Sequence, residues 1–236
     1  MSIAENVAAI RARIAEAALA AGRDPAEVKL CAATKMNDAD AVRQAIAAGV
    51  DLCGENRVQE LTQKLSENAY EGAPVHFIGH LQTNKVRQVV GKVDVIQSVD
   101  SLRLLEAIQK EAAKQGIRQD ILLEINIGKE ESKSGFEVGQ VLPLVQNFSQ
   151  FPNIRLRGLM AIPPVCRESG GNDKFFQEMC QVAVDITAKK SDNVSVDILS
   201  MGMSDDFADA VRCGSTMIRV GTAIFGARDY TKSHQA

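Results

Sequence analysis

The chain has 236 residues, of which 45% are hydrophobic and 24% are charged, and its formal net charge is −3. These proportions are ordinary for a globular protein, and a slightly acidic chain lacks the general positive field that attracts nucleic acids. The five cysteines form an odd set without CxxC or zinc-like spacing, which is typical of thiols in a reducing compartment. The N-terminus lacks the pattern of a signal peptide, and no apolar stretch approaches the roughly 20 residues of a membrane span. We therefore expect a cytoplasmic protein without metal, nucleic-acid or membrane partners.

An amphipathic helix opens the chain, because Ile3, Val7, Ile10 and Ile14 recur at helical spacing, and it is expected to end near Gly22. Short apolar runs then alternate with helical patterns. Eight strands are predicted to start near residues 28, 50, 75, 93, 120, 154, 196 and 217. Seven helices are predicted between them, over 38–48, 57–66, 82–90, 102–116, 138–148, 175–189 and 205–212.

This alternation predicts an α/β fold with a parallel sheet, since each crossover between parallel strands needs a helix. Eight such units favour a single (β/α)8 TIM-type barrel with an extra N-terminal helix. A doubly wound sheet is the alternative, but the glycine fingerprint that it usually carries after its first strand is absent. No linker-like stretch divides the chain, so we expect one domain over 1–230 and a short tail over 231–236.

Lys35 stands directly after the apolar run of the first predicted strand. In barrels of this kind the functional site lies at the carboxyl ends of the strands. A lysine that is desolvated or close to other cations loses its proton more easily, and its amine then forms a Schiff base with an aldehyde. The alternative is that Lys35 is simply the first solvated residue of a loop.

Two small-residue loops follow the last two predicted strands, one over 200–206 and one at Gly221 and Thr222. Barrels often hold a phosphate between these loops, and the free N–H groups of a helix start bind anions. Ordinary N-capping by Ser204 and its aspartate neighbours is the alternative. Arg219, between Ile218 and Val220, points either outward to an ion pair or inward, where its charge would lower the pKa of Lys35. A lysine, a phosphate cradle and an arginine together indicate a phosphorylated aldehyde, of which pyridoxal 5′-phosphate is the commonest cofactor.

Asn56 and His80 follow the second and third predicted strands. Each is placed either to hydrogen-bond the phenolic oxygen of the cofactor or to form a wall of its pocket. For His80 a role at a helix start or in the core is an equal alternative. Lys129 and Lys133, in the loop after the fifth strand, either guide an anionic ligand or belong to a solvated loop.

Several motifs resemble those of the pyridoxal phosphate homeostasis protein family (YggS/PROSC). They occur in the order of that family and cover nearly the whole chain. The motifs are Ala32-Ala33-Thr34-Lys35, Gly54-Glu55-Asn56-Arg57-Val58-Gln59-Glu60, His76-Phe77-Ile78-Gly79-His80-Leu81-Gln82, Ser132-Lys133-Ser134-Gly135, Arg157-Gly158-Leu159-Met160, Leu199-Ser200-Met201-Gly202-Met203-Ser204-Asp205 and Arg219-Val220-Gly221-Thr222-Ala223-Ile224-Phe225-Gly226.

The resemblance implies a barrel like the N-terminal domain of alanine racemase, without the second β domain of that enzyme. It implies that Lys35 carries the cofactor as a Schiff base and that Arg219 faces the pyridine nitrogen. The phosphate would be held largely through backbone groups of Ser200, Ser204, Gly221 and Thr222. The full set of candidate cofactor-binding residues is Lys35, Asn56, His80, Met160, Ser200, Met201, Ser204, Arg219, Gly221 and Thr222.

The resemblance also implies a role in intracellular pyridoxal phosphate homeostasis, as a carrier, buffer or regulator with no established turnover, with cofactor-free enzymes as candidate recipients. A racemase or another enzyme that uses the same cofactor is the alternative. A permanently charged arginine makes the cofactor ring a poorer electron sink, and racemisation needs a second acid/base, for which His80 is the obvious candidate because Tyr70 and Tyr230 lie away from the predicted strand ends. A cofactor-free Schiff-base aldolase is a third hypothesis, disfavoured because the sixth strand carries no lysine. Without a second domain to form a dimer surface, we expect a monomer.

Overall fold

The computed structural model describes residues 1–130, 133–166, 168–189 and 192–226, and its centre is a closed barrel of eight parallel strands. The strands follow one another round the barrel in chain order, and the eighth pairs with the first. They are β1 (Lys29–Ala33), β2 (Leu52–Glu55), β3 (Val75–Phe77), β4 (Val95–Val99), β5 (Gln119–Ile125), β6 (Ile154–Ala161), β7 (Val194–Ser200) and β8 (Met217–Val220). The prediction of a (β/α)8 TIM-type barrel is therefore confirmed, and the doubly wound alternative is wrong because the sheet closes.

The helices of the described residues are α1 (Ile3–Ala20), α2 (Ala39–Ala47), α3 (Val58–Ser66), α4 (Leu102–Gln115), α5 (Val138–Gln146), α6 (Asp173–Thr187), α7 (Phe207–Arg212) and α8 (Thr222–Phe225). The helix predicted over 82–90 is instead a short 3-10 helix, Thr83–Gln88. The valines of the segment 82–90 are β-branched, and such residues favour the α-helix less. None of the described helices has the length and apolar character that crossing a membrane requires.

The N-terminal helix α1 covers the outside of the barrel where β8 meets β1. Its buried face packs against Leu30 and Ala32 of β1, Ile218 and Val220 of β8, and Phe207 at the start of α7. Its start is fixed by Ser2 and Glu5, whose side chains each accept a hydrogen bond from the other's backbone N–H. The last helix, α8, has only four residues, so α1 fills the place of an eighth barrel helix.

The interior of the barrel is filled by alternate residues of the strands. Two small apolar clusters lie there: Cys31, Leu52 and Met217, and Val95, Leu122 and Met160, both of which also contact Ile198. Gly158 allows β6 and β7 to approach each other closely, since a Cβ at this position would lie 1.8 Å from the carbonyl oxygen of Ile198. Its φ of +149° accompanies a register shift between these strands and turns Met160 inward.

Candidate functional site

Lys35 occupies a turn just beyond β1, at the upper mouth of the barrel. The next residue, Met36, has a φ of +61°, which is uncommon for a residue with a side chain. Its N–H donates to Oε2 of Glu60 at 2.7 Å, and the Asn37 side chain donates to the carbonyl of Lys35 at 3.0 Å. The turn that presents Lys35 is thus fixed by hydrogen bonds on both sides, and Lys35 itself is half-buried.

A buried ionic cluster lies beneath this turn, between the barrel wall and α3. The ammonium of Lys64 is 2.6 Å from Oε2 of Glu55, which is fully buried, and it also donates to the carbonyl of Thr34 at 2.7 Å. The Thr34 hydroxyl donates to the same carboxylate at 3.0 Å, and the Tyr70 hydroxyl does so at 3.3 Å. Tyr70 is buried and hydrogen-bonds to Glu55, so this tyrosine belongs to the support of the turn and not to the mouth. Burial also raises the pKa of its hydroxyl.

The other oxygen of Glu55 organises the end of β2. It accepts hydrogen bonds from the N–H groups of Asn56 at 2.7 Å and Arg57 at 3.3 Å. Gly79, at the end of β3, lies directly against Asn56, since a Cβ there would be 2.0 Å from the Asn56 carbonyl oxygen. The side-chain Oδ1 of Asn56 is buried, and no hydrogen-bond partner for it exists among the described residues. A buried acceptor of this kind is costly unless a ligand or water satisfies it.

Arg219 on β8 points into the barrel and is 4% exposed. Its guanidinium donates to the Ser200 hydroxyl at 2.6 Å and to the Ala161 carbonyl at 3.0 Å. Burial lowers the pKa of Arg219, against the opposing effect of Cys31 and Glu124. The inward orientation, one of two open at the level of sequence, places a buried cation on the strand next to the one that carries Lys35.

The small-residue loop after β7 adjoins β8, because the N–H of Arg219 on β8 donates to the carbonyl of Gly202 at 3.0 Å. Gly202 has a φ of +94°, and a Cβ there would lie 2.6 Å from that of Ala210. Asp206 is the N-cap residue of α7 but makes no side-chain capping bond to the helix, and it accepts instead from the N–H of Met203 at 2.7 Å. This turn delays the start of α7 to residue 207. Gly221 faces Ala33 at the end of β1, so the second loop adjoins the strand that leads to Lys35.

Three of the candidate residues lie away from the space above the barrel. The Ser200 hydroxyl donates to Oε1 of Gln97 at 2.7 Å, inside the barrel. Met160 packs in the interior cluster, and Met201 is fully buried in the core outside the barrel wall. Thr222, in contrast, begins α8 and is exposed.

His80 is exposed and has its Nδ1 3.1 Å from Oδ2 of Asp100, which excludes the core position considered for it. It lines a cleft of about 280 Å³ at the mouth together with Asn56, Gly79, Glu124, Asn126 and Lys133. Lys133 pairs with Glu130 at 2.5 Å, and Lys129 is exposed. Ser132, in the motif around Lys133, lies outside the described residues.

Sequence reasoning missed Glu124, which projects into this cleft from β5. Burial, with a smaller contribution from Asp100, raises the pKa of its carboxyl to about 7, and Arg219 opposes that shift. Two features of the sequence could have identified Glu124. It is a carboxylate within an apolar strand, and it lies two residues after Leu122 and so on the same, inward-facing side of that strand. Glu55 and Lys64 were missed as well, although Lys64 follows Leu61 by three residues on the buried face of α3.

Comparisons with known proteins first define the class. The family described as the alanine racemase N-terminal domain matches residues 5–229. An alanine racemase from Streptomyces coelicolor superposes with a TM-score of 0.71 at 16% identity, covering 97% of this chain and 59% of that enzyme. At this identity the likeness concerns the fold alone. PipY of Synechococcus elongatus, in its structure with PLP bound, superposes with a TM-score of 0.81 at 33% identity, covering 95% of this chain and all of PipY.

The curated relatives then give the particular family. The pyridoxal phosphate homeostasis protein of Pseudomonas aeruginosa is 42% identical over 229 residues, which are 97% of each chain. The protein of the same name from Escherichia coli is 41% identical over 98% of each chain. The chain therefore belongs to the pyridoxal phosphate homeostasis protein family.

Proposed function

We propose that this chain binds pyridoxal 5′-phosphate as a Schiff base on Lys35 and acts in the cytoplasm as a carrier and buffer of the cofactor. The observation that carries the proposal is the pairing of β1 with β8, in which the buried Arg219 lies opposite Cys31 on the strand that leads to Lys35. The five cysteines are all unpaired thiols, as a reducing compartment requires.

The residues at the mouth fit the chemical groups of this cofactor. Lys35 would hold the aldehyde, and Arg219 would face the ring nitrogen. Asn56 fits beside the ring, since its buried Oδ1 lacks a partner among the described residues. Backbone groups of Ser204, Gly221 and Thr222 would hold the phosphate, and Ser200 would contribute through its backbone because its hydroxyl bonds to Gln97. When bound, the cofactor supplies an aldehyde that an amine captures reversibly.

We expect no turnover because of the charges around the ring. Arg219 is a fixed cation, which disfavours protonation of a neighbouring ring nitrogen and weakens the ring as an electron sink. Tyr70 is bound to Glu55 behind the barrel wall and is unable to serve as a second acid/base at the mouth. Tyr230 lies outside the described residues. The relatives are named as homeostasis proteins and not as enzymes.

Borohydride reduction tests this proposal. The wild-type protein, incubated with pyridoxal 5′-phosphate, is expected to turn yellow and to retain the reduced cofactor as a mass adduct on the peptide that contains Lys35. Lys35→Ala removes the adduct. Lys29→Ala is the matched control, since Lys29 is an exposed lysine on the same strand, and it is expected to be trapped like wild type. A colourless wild-type protein without an adduct would overturn the proposal.

Hydrogen–deuterium exchange at Cα of a panel of amino acids separates the carrier from an enzyme. We expect the loaded protein to show no exchange above that of free cofactor. Exchange at an enzyme-like rate that is lost in Lys35→Ala would establish the racemase alternative instead.

The proposal also concerns the oligomeric state, the domain boundaries and the partners of the protein. We propose that the protein works as a monomer, that residues 1–230 form one cofactor-binding domain, and that cofactor-free enzymes are the recipients. The predicted tail over 231–236 lies outside the described residues.

A further inference from the structure

A layer of polar side chains crosses the barrel interior beneath the mouth. It consists of His76 on β3, Gln97 on β4, Ser200 on β7 and Arg219 on β8, all of which are at most 5% exposed. Interiors of such barrels are filled mainly by branched apolar residues, and buried polar groups are unfavourable unless they are hydrogen-bonded. The hydrogen bonds within this layer therefore have to offset the cost of burying its polar groups.

The hydrogen bonds form one chain with a single direction. A guanidinium only donates, so the Ser200 hydroxyl accepts from Arg219 at 2.6 Å and gives its own proton to Oε1 of Gln97 at 2.7 Å. The amide nitrogen of Gln97 then faces Nδ1 of His76 at 2.8 Å and Sδ of Met217 at 3.2 Å. His76 accepts at Nδ1 in its neutral form, in agreement with burial that lowers its pKa to about 4.

Gln97 is the member of this chain that determines the orientation of the others. A hydroxyl rotates easily, and Ser200 by itself would not hold the guanidinium in one place. Oε1 of Gln97 orients the hydroxyl so that its lone pair faces Arg219. Among the described residues, no carboxylate lies within ion-pair distance of Arg219, and its other hydrogen bond is to the Ala161 carbonyl.

We propose that Gln97 is a positioning residue that fixes the Arg219 guanidinium through Ser200 and so sets the environment of the cofactor ring. This inference rests on the proposed function, in which Arg219 faces the ring. Gln97 itself acts two hydrogen bonds away from Arg219 and would not touch the cofactor.

Gln97→Leu is the first test, because it leaves an apolar branched side chain that is one atom shorter and removes both polar atoms. The loaded variant is expected to show a shifted visible absorption band and about tenfold weaker cofactor binding, as for the loss of one hydrogen bond that supports a charged group. In the cofactor-free variant, NMR is expected to show faster solvent exchange of the Arg219 guanidinium protons. Gln97→Glu keeps an acceptor for Ser200, so its Arg219 guanidinium protons are expected to exchange as slowly as those of wild type.

Gln119→Leu is the matched control. Gln119 is also a buried glutamine with a hydrogen-bonded amide, but it bonds to backbone carbonyls of Val93 and Asp94 at the opposite end of the barrel. It is expected to lower stability without moving the absorption band. If Gln97→Leu fails to fold, Gln97→Met, which keeps the length of the side chain without its polar atoms, replaces it in the absorption, affinity and guanidinium-exchange measurements.

A double-mutant cycle tests the route of the effect. If Gln97 acts through Arg219, then Gln97→Leu adds no further spectral shift in an Arg219→Gln background. Two independent shifts, or a folded Gln97→Leu with wild-type spectrum and affinity, would overturn the inference. A wild-type protein that binds no cofactor would overturn the proposed function instead, so the two failures are distinguishable.

Discussion

Glu124 shows how a single residue at the mouth links the stability of the fold to pH. Burial raises its pKa from 4.5 to about 7, because the charged carboxylate loses solvation. Between pH 4.5 and about 7, the Glu124 carboxyl is therefore protonated in the native state but ionised in the unfolded chain. The folded protein consequently loses stability from Glu124 as the pH rises from about 4.5 through about 7. His76, whose pKa is lowered to about 4, contributes in the opposite direction over the lower part of this range.

Glu124→Gln isolates the contribution of Glu124 from that of His76. We expect the free energy of unfolding of the variant, relative to wild type, to rise by on the order of 2 kcal/mol between about pH 5 and about pH 8. Urea denaturation of the cofactor-free proteins at both pH values measures this difference. A difference that is the same at both pH values would show that Glu124 does not titrate in this range.

At the scale of elements, the turn after β1 depends on α3. Lys64 of α3 bonds to Glu55 of β2 and to the Thr34 carbonyl, and Glu60 of the same helix holds the N–H of Met36. The helix therefore supports the left-handed conformation that follows Lys35. A buried ion pair adds little stability compared with apolar residues of the same shape. Removing one partner is nevertheless destabilising, because the other charge is left buried and unpaired.

Lys64→Met is expected to lower the free energy of unfolding by about 3–5 kcal/mol, because it leaves the Glu55 carboxylate buried without its cation. The double variant Glu55→Gln/Lys64→Met should lose less of the free energy of unfolding than Lys64→Met alone, since it no longer buries an unpaired carboxylate. Chemical denaturation measures both. We also expect Lys64→Met to trap less cofactor on Lys35 than wild type, whereas an unchanged stability would contradict this account of the cluster.

At the scale of the whole molecule, the strands and most helices could be predicted because each apolar run is local in the chain. The positions of Lys35 and Asn56 at strand ends could also be predicted, since strand ends follow from the strands, whereas the sequence leaves the inward and outward orientations of Arg219 both open. The hydrogen bonds between distant segments could not be predicted from the sequence. Gln97 and Ser200 are 103 residues apart, and only the closure of the barrel brings them together. The packing of the Met201 side chain outside the barrel follows from alternation, which turns Ser200 inward and its neighbour outward.

The central claim, that the chain holds pyridoxal 5′-phosphate on Lys35 and releases it to other proteins, is tested most directly by a transfer assay. Loaded wild-type protein is mixed with a cofactor-free enzyme that depends on pyridoxal 5′-phosphate, and the recovery of that enzyme's activity is followed over time. We predict recovery from the wild-type and Lys29→Ala proteins, and none above the free-cofactor control from Lys35→Ala carried through the same loading and desalting. A loaded wild-type protein that restores no activity would contradict the account.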